Sequence, residues 1–355
     1  MNFSLVGNSL MATTSAKDDT DKPTKIPESV RKALDTAYSA SKELIKTSKS
    51  LLDSHTPSRP IGNGGPSSSP SALSSPIDAI AKLSGLLHSH TVRTALTCGP
   101  TASSPTATLD CIKALHEPIL PLVTEFQRLS TLHEFPGYFV MGIRKEIMSL
   151  FDAIVAFLGE VVEIARGDGD VGSRERLQYS GMVMEVCDRL QRICGDGPIG
   201  MVCRRLKDTH DMLDDALEEV VGIIEDEIVD DGWSEDPAEY TAEEKKYAER
   251  VHAKLRLLSL LYKAISRRRL TPTTPYTKSS RSTLDIVHAG LTTLSVAVDE
   301  LVSGITGQED PMTLELSFIQ IMNESRKLAT ALRLPLNGEP DGRESWFDTW
   351  LAKLA

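Results

Sequence analysis

A carboxylate followed three residues later by a histidine on one helix can hold iron inside a helical bundle. The chain offers Glu249 with His252, and Asp285 with His288 as a near match. Such a site also needs further carboxylates aimed inward from neighbouring helices, and none accompany these pairs in the pattern. Glu249 and His252 continue instead into Arg256, Ser259 and Lys263, a polar row opposite Val251, Leu255, Leu258 and Tyr262, so the spacing predicts an outward-facing pair. His88, His90, Cys98, Cys111 and His116 lack zinc-ligand spacing. Cys187 and Cys194 lie a heptad apart and read as buried structural thiols. The sequence has no Gly-x-Ser-x-Gly elbow, Walker loop or dinucleotide fingerprint. The residues therefore predict no catalytic site, cofactor or metal, and the expectation is a protein that is not an enzyme.

Two charged stretches carry the remaining functional signal. Between Leu206 and Lys245 sixteen Asp and Glu face two Lys, an excess of −14 against −11 for the whole chain, so the rest is slightly basic. Asp214, Asp215, Glu218, Glu219, Glu225, Asp226 and Glu227 form its densest part. One reading is a solvated face, the usual role of charge runs on helices; the other is a docking surface for a basic partner. Direct nucleic-acid binding here is disfavoured, because phosphates are met by Lys and Arg. The second stretch is Arg267, Arg268, Arg269 and Leu270, with Thr271 and Thr274 each before a proline. A helix C-terminus with dipole-complementing cations explains it, and so does a regulatory segment in which Arg-x-Leu resembles a cyclin-docking sequence beside proline-directed phosphorylation sites.

The elements that must position these residues are helices. Val202, Leu206, Thr209, Leu213, Ala216, Val220, Ile224 and Ile228 recur at three-four spacing and predict one long acidic helix from Pro198 to Asp231, with Gly232 as its stop. Further helices are predicted over Pro27–Leu52, with inward Val30, Leu34, Ala37, Ser41, Leu44, Ser48 and Leu51, and from Pro76 to about Thr97. A third, over Leu109–Phe126, should be kinked or split by Pro118 and Pro121; others span Gly137–Ile164, Arg174–Ile193, Thr241–Arg269, Ser282–Ile305, Met312–Leu332 and Ser345–Leu354. Gly195–Gly197 breaks the chain before the acidic helix. The reading is all-α, two helical bundles of about five helices each: a tail over 1–26, a first bundle over 27–196 containing a flexible Ser/Pro linker over 53–75, and a second bundle over 197–355. A weakly apolar first helix on such a linker could swing away and expose a groove.

Composition supports that class. Hydrophobic residues make up 40% but aromatics 5%, which suits close-packed aliphatic helices. Five cysteines without Cys-x-x-Cys pairing predict free thiols in a reducing compartment, cytoplasmic and nuclear. The opening residues 1–25 read as a disordered tail rather than a targeting segment, and the apolar run Ile147–Ala165 contains Asp152, Glu160 and Glu163, which argues against membrane insertion.

Four motifs in order carry a family resemblance: Tyr-Ser-Gly-Met-Val-Met-Glu-Val-Cys-Asp from Tyr179 to Asp188, Asp-Asp-Ala-Leu-Glu-Glu from Asp214 to Glu219, Trp-Ser-Glu from Trp233, and Glu-Ser-Trp ending at Trp346. The chain resembles the Grap2 and cyclin-D-interacting protein family, most firmly from Leu177 to Ala355 and more faintly from Pro27 to Ala165. It departs from that pattern at Met184, where a Trp is expected, and in the insert from Thr56 to Ser75. The resemblance implies vinculin- and talin-like helical bundles, no catalytic residues, and a negative regulator of cell-cycle progression and transcription that binds cyclins, an adaptor or helix-loop-helix proteins. Rival readings are a vinculin-like cytoskeletal scaffold and a bundle metalloenzyme. Oligomeric state is not legible.

Overall fold

The helix starts are written locally. Ser75, Ser104 and Asp310 each precede a proline at the first helical position, where the missing N–H is no loss. Asp310 accepts from Met312 N–H at 3.0 Å, and Thr241 and Glu244 form a reciprocal capping box, with the Thr241 N–H reaching Glu244 Oε2 at 2.7 Å. In the computed structural model, which describes residues 27–54, 75–98, 104–166, 174–225, 240–271, 273–307 and 309–354, these signals open a series of long helices.

The first group is α1 (Glu28–Ser54), α2 (Pro76–Thr97), α3 (Pro105–His116), α4 (Ile119–Thr131) and α5 (Gly137–Arg166). The chain then runs through α6 (Arg174–Glu225), α7 (Ala242–Arg268), a 3-10 turn (Lys278–Ser280), α8 (Arg281–Thr306), α9 (Pro311–Ala331) and α10 (Glu344–Leu354). Among the described residues there is no strand, and the class is all-α. Pro118 splits the third predicted helix into α3 and α4, because a proline inside a helix removes a hydrogen bond and clashes with the preceding turn.

Everything is arranged around α6. Its N-terminal arm packs on α2 and α5, and its C-terminal arm on α7 and α8; α8 and α9 form a hairpin, and α10 lies across α7 and α9. The buried apolar residues fall into two clusters, one spanning positions 34–194 and the other 199–354. The change of cluster coincides with a bend at Gly197, whose φ of 66° and ψ of −171° belong to a region that essentially glycine alone visits. Met201, just past the bend, reaches back to pack over Gly142 of α5, where a Cβ would lie 2.6 Å from its methyl carbon. The predicted break is thus present: two helical arms, 174–196 and 198–225, meet at a non-helical Gly197 without an intervening loop.

Three expectations are corrected in detail. In α1 the buried row is Leu34, Ser41, Ile45, Ser48 and Leu52, while Leu51 is exposed, so the inward face is rotated by one residue toward its C-terminus. Asp53 and Ser54 are helical, not linker, whereas residues 55–74 and the tail over 1–26 lie outside the described residues. Ser259 was placed on the polar row of its helix but is 5% exposed.

Within Lys278–Thr306 an 18-residue window of mean hydropathy 1.3 is long and apolar enough by composition to cross a membrane. It is half buried here, its Leu284, Val287, Leu291, Leu294, Val298 and Leu301 filling the second cluster.

Candidate functional site

The C-terminal arm of α6 separates its two faces as the three-four spacing requires. Val202, Leu206, Thr209, Leu213, Ala216 and Val220 are buried, and Asp211, Asp214, Asp215, Glu218, Glu219 and Glu225 are exposed on the opposite side. At 100° per residue Asp211, Asp215, Glu218 and Glu225 form one row. Among the described residues, Asp215, Glu218, Glu219 and Glu225 make no ion pair. Asp226 and Glu227, the last two residues of the predicted acidic face, lie outside the described residues.

Asp214 is the exception on that face. Its Oδ2 lies 3.7 Å from His210 Nδ1, one turn back on α6, and its Oδ1 accepts from the Ser259 hydroxyl at 3.5 Å. His210 Nε2 is in turn 3.2 Å from Ser259 Oγ. A serine, a histidine and an aspartate in this order are the parts of a nucleophilic triad. The setting is wrong for that chemistry: Ser259 is buried between α6 and α7, and the backbone N–H groups around it are consumed by helical hydrogen bonds, leaving no donors for an oxyanion. The three side chains act as a polar fastener between the helices. Sequence reasoning missed it because His210 and Asp214 sit 45 or more positions from Ser259.

The basic segment is divided by the fold. Arg267 and Arg268 are exposed, with Arg268 over the ring of Trp346 at 5.1 Å. Arg269 is drawn inward: its side chain is fully buried, pairs with Asp341 at 2.7 Å, donates to the carbonyls of Leu332 and Arg333 at 2.8 Å each, and lies over Phe347 at 4.9 Å. Leu270 is 2% exposed within the second cluster. Leu270 is thus part of the core and Arg269 a structural clamp on α10, which leaves Arg267 and Arg268 as the exposed bases of the segment. The Thr271 and Thr274 hydroxyls lie 2.9 Å apart, and Thr274 Oγ1 accepts from the Thr271 N–H at 3.1 Å, a closed turn after α7.

A further grouping, absent from the sequence reading, joins the two clusters. Arg281 donates to the His133 carbonyl at 2.6 Å, the Tyr276 hydroxyl donates to the Glu134 carbonyl, and Lys278 pairs with Glu134 at 2.5 Å. His133 holds φ at 48°, uncommon for a residue with a side chain. Tyr138 stacks on His288 with ring centroids 4.4 Å apart, and its hydroxyl donates to the Pro198 carbonyl at 2.8 Å, beside the α6 bend. Burial and the nearby Arg205 charge, opposed by Asp285, push the His288 imidazole below its usual value.

All five cysteines are free thiols. Burial pushes the Cys187 thiol up to about 11 and the Cys194 thiol up to about 12, which removes both as nucleophiles near neutral pH. Among the described residues no three His, Cys, Asp or Glu side chains gather as a metal site would require.

Comparison with known proteins places these elements. An uncharacterized protein of Saccharomyces cerevisiae is 23% identical over 270 residues, covering 68% of this chain and 75% of the yeast protein. Residues 79–226 match the family described as Grap2 and cyclin-D-interacting, N-terminal. The matched stretch includes most of the segment in which the sequence likeness was faint, and it takes in α6 to its last described turn. From α2 through the acidic arm of α6, this chain is similar to the N-terminal region of the Grap2 and cyclin-D-interacting family.

Proposed function

We propose that this chain is a non-enzymatic interaction protein, acting in cytoplasm and nucleus, that restrains cell-cycle progression and transcription by holding a regulatory protein of the cyclin or helix-loop-helix type. The observation that carries the reading is the row Asp211, Asp215, Glu218 and Glu225: carboxylates without ion-pair partners among the described residues, on a helix clamped from behind by α7 and α8, within the residues that match the cyclin-D-interacting family. A rigid acidic row of this kind suits a basic amphipathic helix, since complementary charge steers encounter and fixes register. The buried setting of Ser259 and the raised thiols of Cys187 and Cys194 support the non-enzymatic part.

The test is affinity purification with mass spectrometry, comparing the full chain with a Glu218→Lys, Glu219→Lys, Glu225→Lys variant. These positions are exposed, so the fold should persist. Recovery of a cyclin or helix-loop-helix protein with the wild type, weakened by added salt and lost with the variant, is the expected result. Recovery of the same partners with both forms would overturn the acidic row as the docking surface.

A further inference from the structure

The bend in α6 does something a straight helix could not. Arg192 and Arg204 are twelve residues apart, about 18 Å along a straight helix axis and on different faces. In the bent helix both border one cavity of about 340 Å3, together with Arg189, Arg205, Asp208 and His288. Four guanidinium groups thus converge in a chain of net charge −11.

Two of the four are already engaged. Arg189 pairs with Glu146 at 3.0 Å and Glu185 at 2.6 Å, and Arg204 pairs with Asp196 at 3.1 Å. Arg192 and Arg205 have no carboxylate partner among the described residues. Arg205 Nε is buried and donates to nothing, although a buried donor without an acceptor is ordinarily unfavourable. The neighbouring Tyr262, on which the Arg205 charge acts, likewise has a buried hydroxyl without a partner. Orphaned donors beside a cavity call for an acceptor to occupy it.

We propose that the concave side of the α6 bend binds a small phosphate-bearing molecule, its phosphate held between Arg192, Arg204 and Arg205. The guanidinium fork matches phosphate oxygens with two parallel hydrogen bonds, and the volume falls in the range of small-molecule sites. Asp208 closes one wall of the cavity. The source is a soluble molecule rather than a lipid headgroup, because the acidic row that continues from Asp208 through Asp211 and Asp215 would be repelled by an anionic bilayer. A ligand here would bridge the two arms of α6 and stiffen the junction between the clusters.

The test titrates the full chain with inorganic pyrophosphate by calorimetry and thermal denaturation, with sodium chloride matched for ionic strength. Saturable binding with a rise in Tm, weakened at least tenfold by Arg192→Gln, is the expected result; Arg192 is exposed, so that variant should fold. Arg204→Gln supplies a second variant and should weaken binding similarly. An equal Tm rise in matched chloride, or equal affinity in the wild type and both variants, would overturn the site. Flotation with vesicles containing phosphatidylinositol 4,5-bisphosphate, without any pyrophosphate binding, would overturn the soluble ligand.

Discussion

Two serines in α1 separate what sequence spacing conveys from what packing decides. Ser41 and Ser48 both sit on the inward row and are fully buried. The Ser41 hydroxyl donates to the Ala37 carbonyl at 2.8 Å and meets His116 Nε2, whereas the Ser48 hydroxyl has no partner. Removing a buried hydroxyl that bonds to nothing should stabilise the fold, and removing one that is satisfied should not. Ser48→Ala is accordingly expected to raise stability by about 1 kcal/mol, and Ser41→Ala to lower it by a similar amount. Urea denaturation of the two variants checks this; a loss in Ser48→Ala would mean that its hydroxyl finds an acceptor after all.

At the scale of elements, α6 is the piece that both clusters share, and Gly197 sets its bend. Because φ at this position is positive with ψ near 180°, any side chain strains the backbone even though a Cβ would meet no atom within 4 Å. Gly197→Ala should therefore cost on the order of 1–3 kcal/mol, entirely from the backbone. An unchanged urea midpoint would show that the bend is not fixed there. The same variant tests the cavity indirectly, since straightening α6 separates Arg192 from Arg204. By contrast α1 is fastened at its rim, by ion pairs of Asp35 with Arg166, Lys49 with Asp152 and Asp53 with Arg144, over a buried row that includes two serines. Pairs that stay partly exposed contribute roughly 0–1 kcal/mol each and are screened by salt, so added salt should loosen the docking of α1.

For the whole molecule, acid should act in two stages. Burial lowers His116, and burial with the Arg205 charge lowers His288, so below about pH 6.5 the unfolded chain takes up protons first and stability begins to fall. The carboxylates respond later. A hydrogen bond from Arg333 lowers Asp348 despite some burial. Burial alone would raise Asp341, but the hydrogen bonds from Arg269 and the Arg343 backbone, with both guanidinium charges, hold it low. A depressed carboxyl contributes stability that is present above its unfolded value of about 3.9 and lost as pH falls through its folded value. The urea midpoint should decline from pH 7 to 5, then again below about pH 4 as α10 releases, which fluorescence of Trp346 and Trp350 would report. A flat midpoint between pH 7 and 5 would contradict the histidine stage. The sequence by itself determined the helical class, the placement of most helices and the two faces of the acidic arm, because three-four spacing and the prolines that interrupt it act within a few residues. Only the tertiary structure decided that Arg269 and Leu270 turn inward, that Ser259 meets His210 and Asp214, that Tyr138 seats on His288, and that four arginines share one cavity. Each of those contacts joins residues brought together by packing or by a bend, and no local period along the chain encodes such a distance.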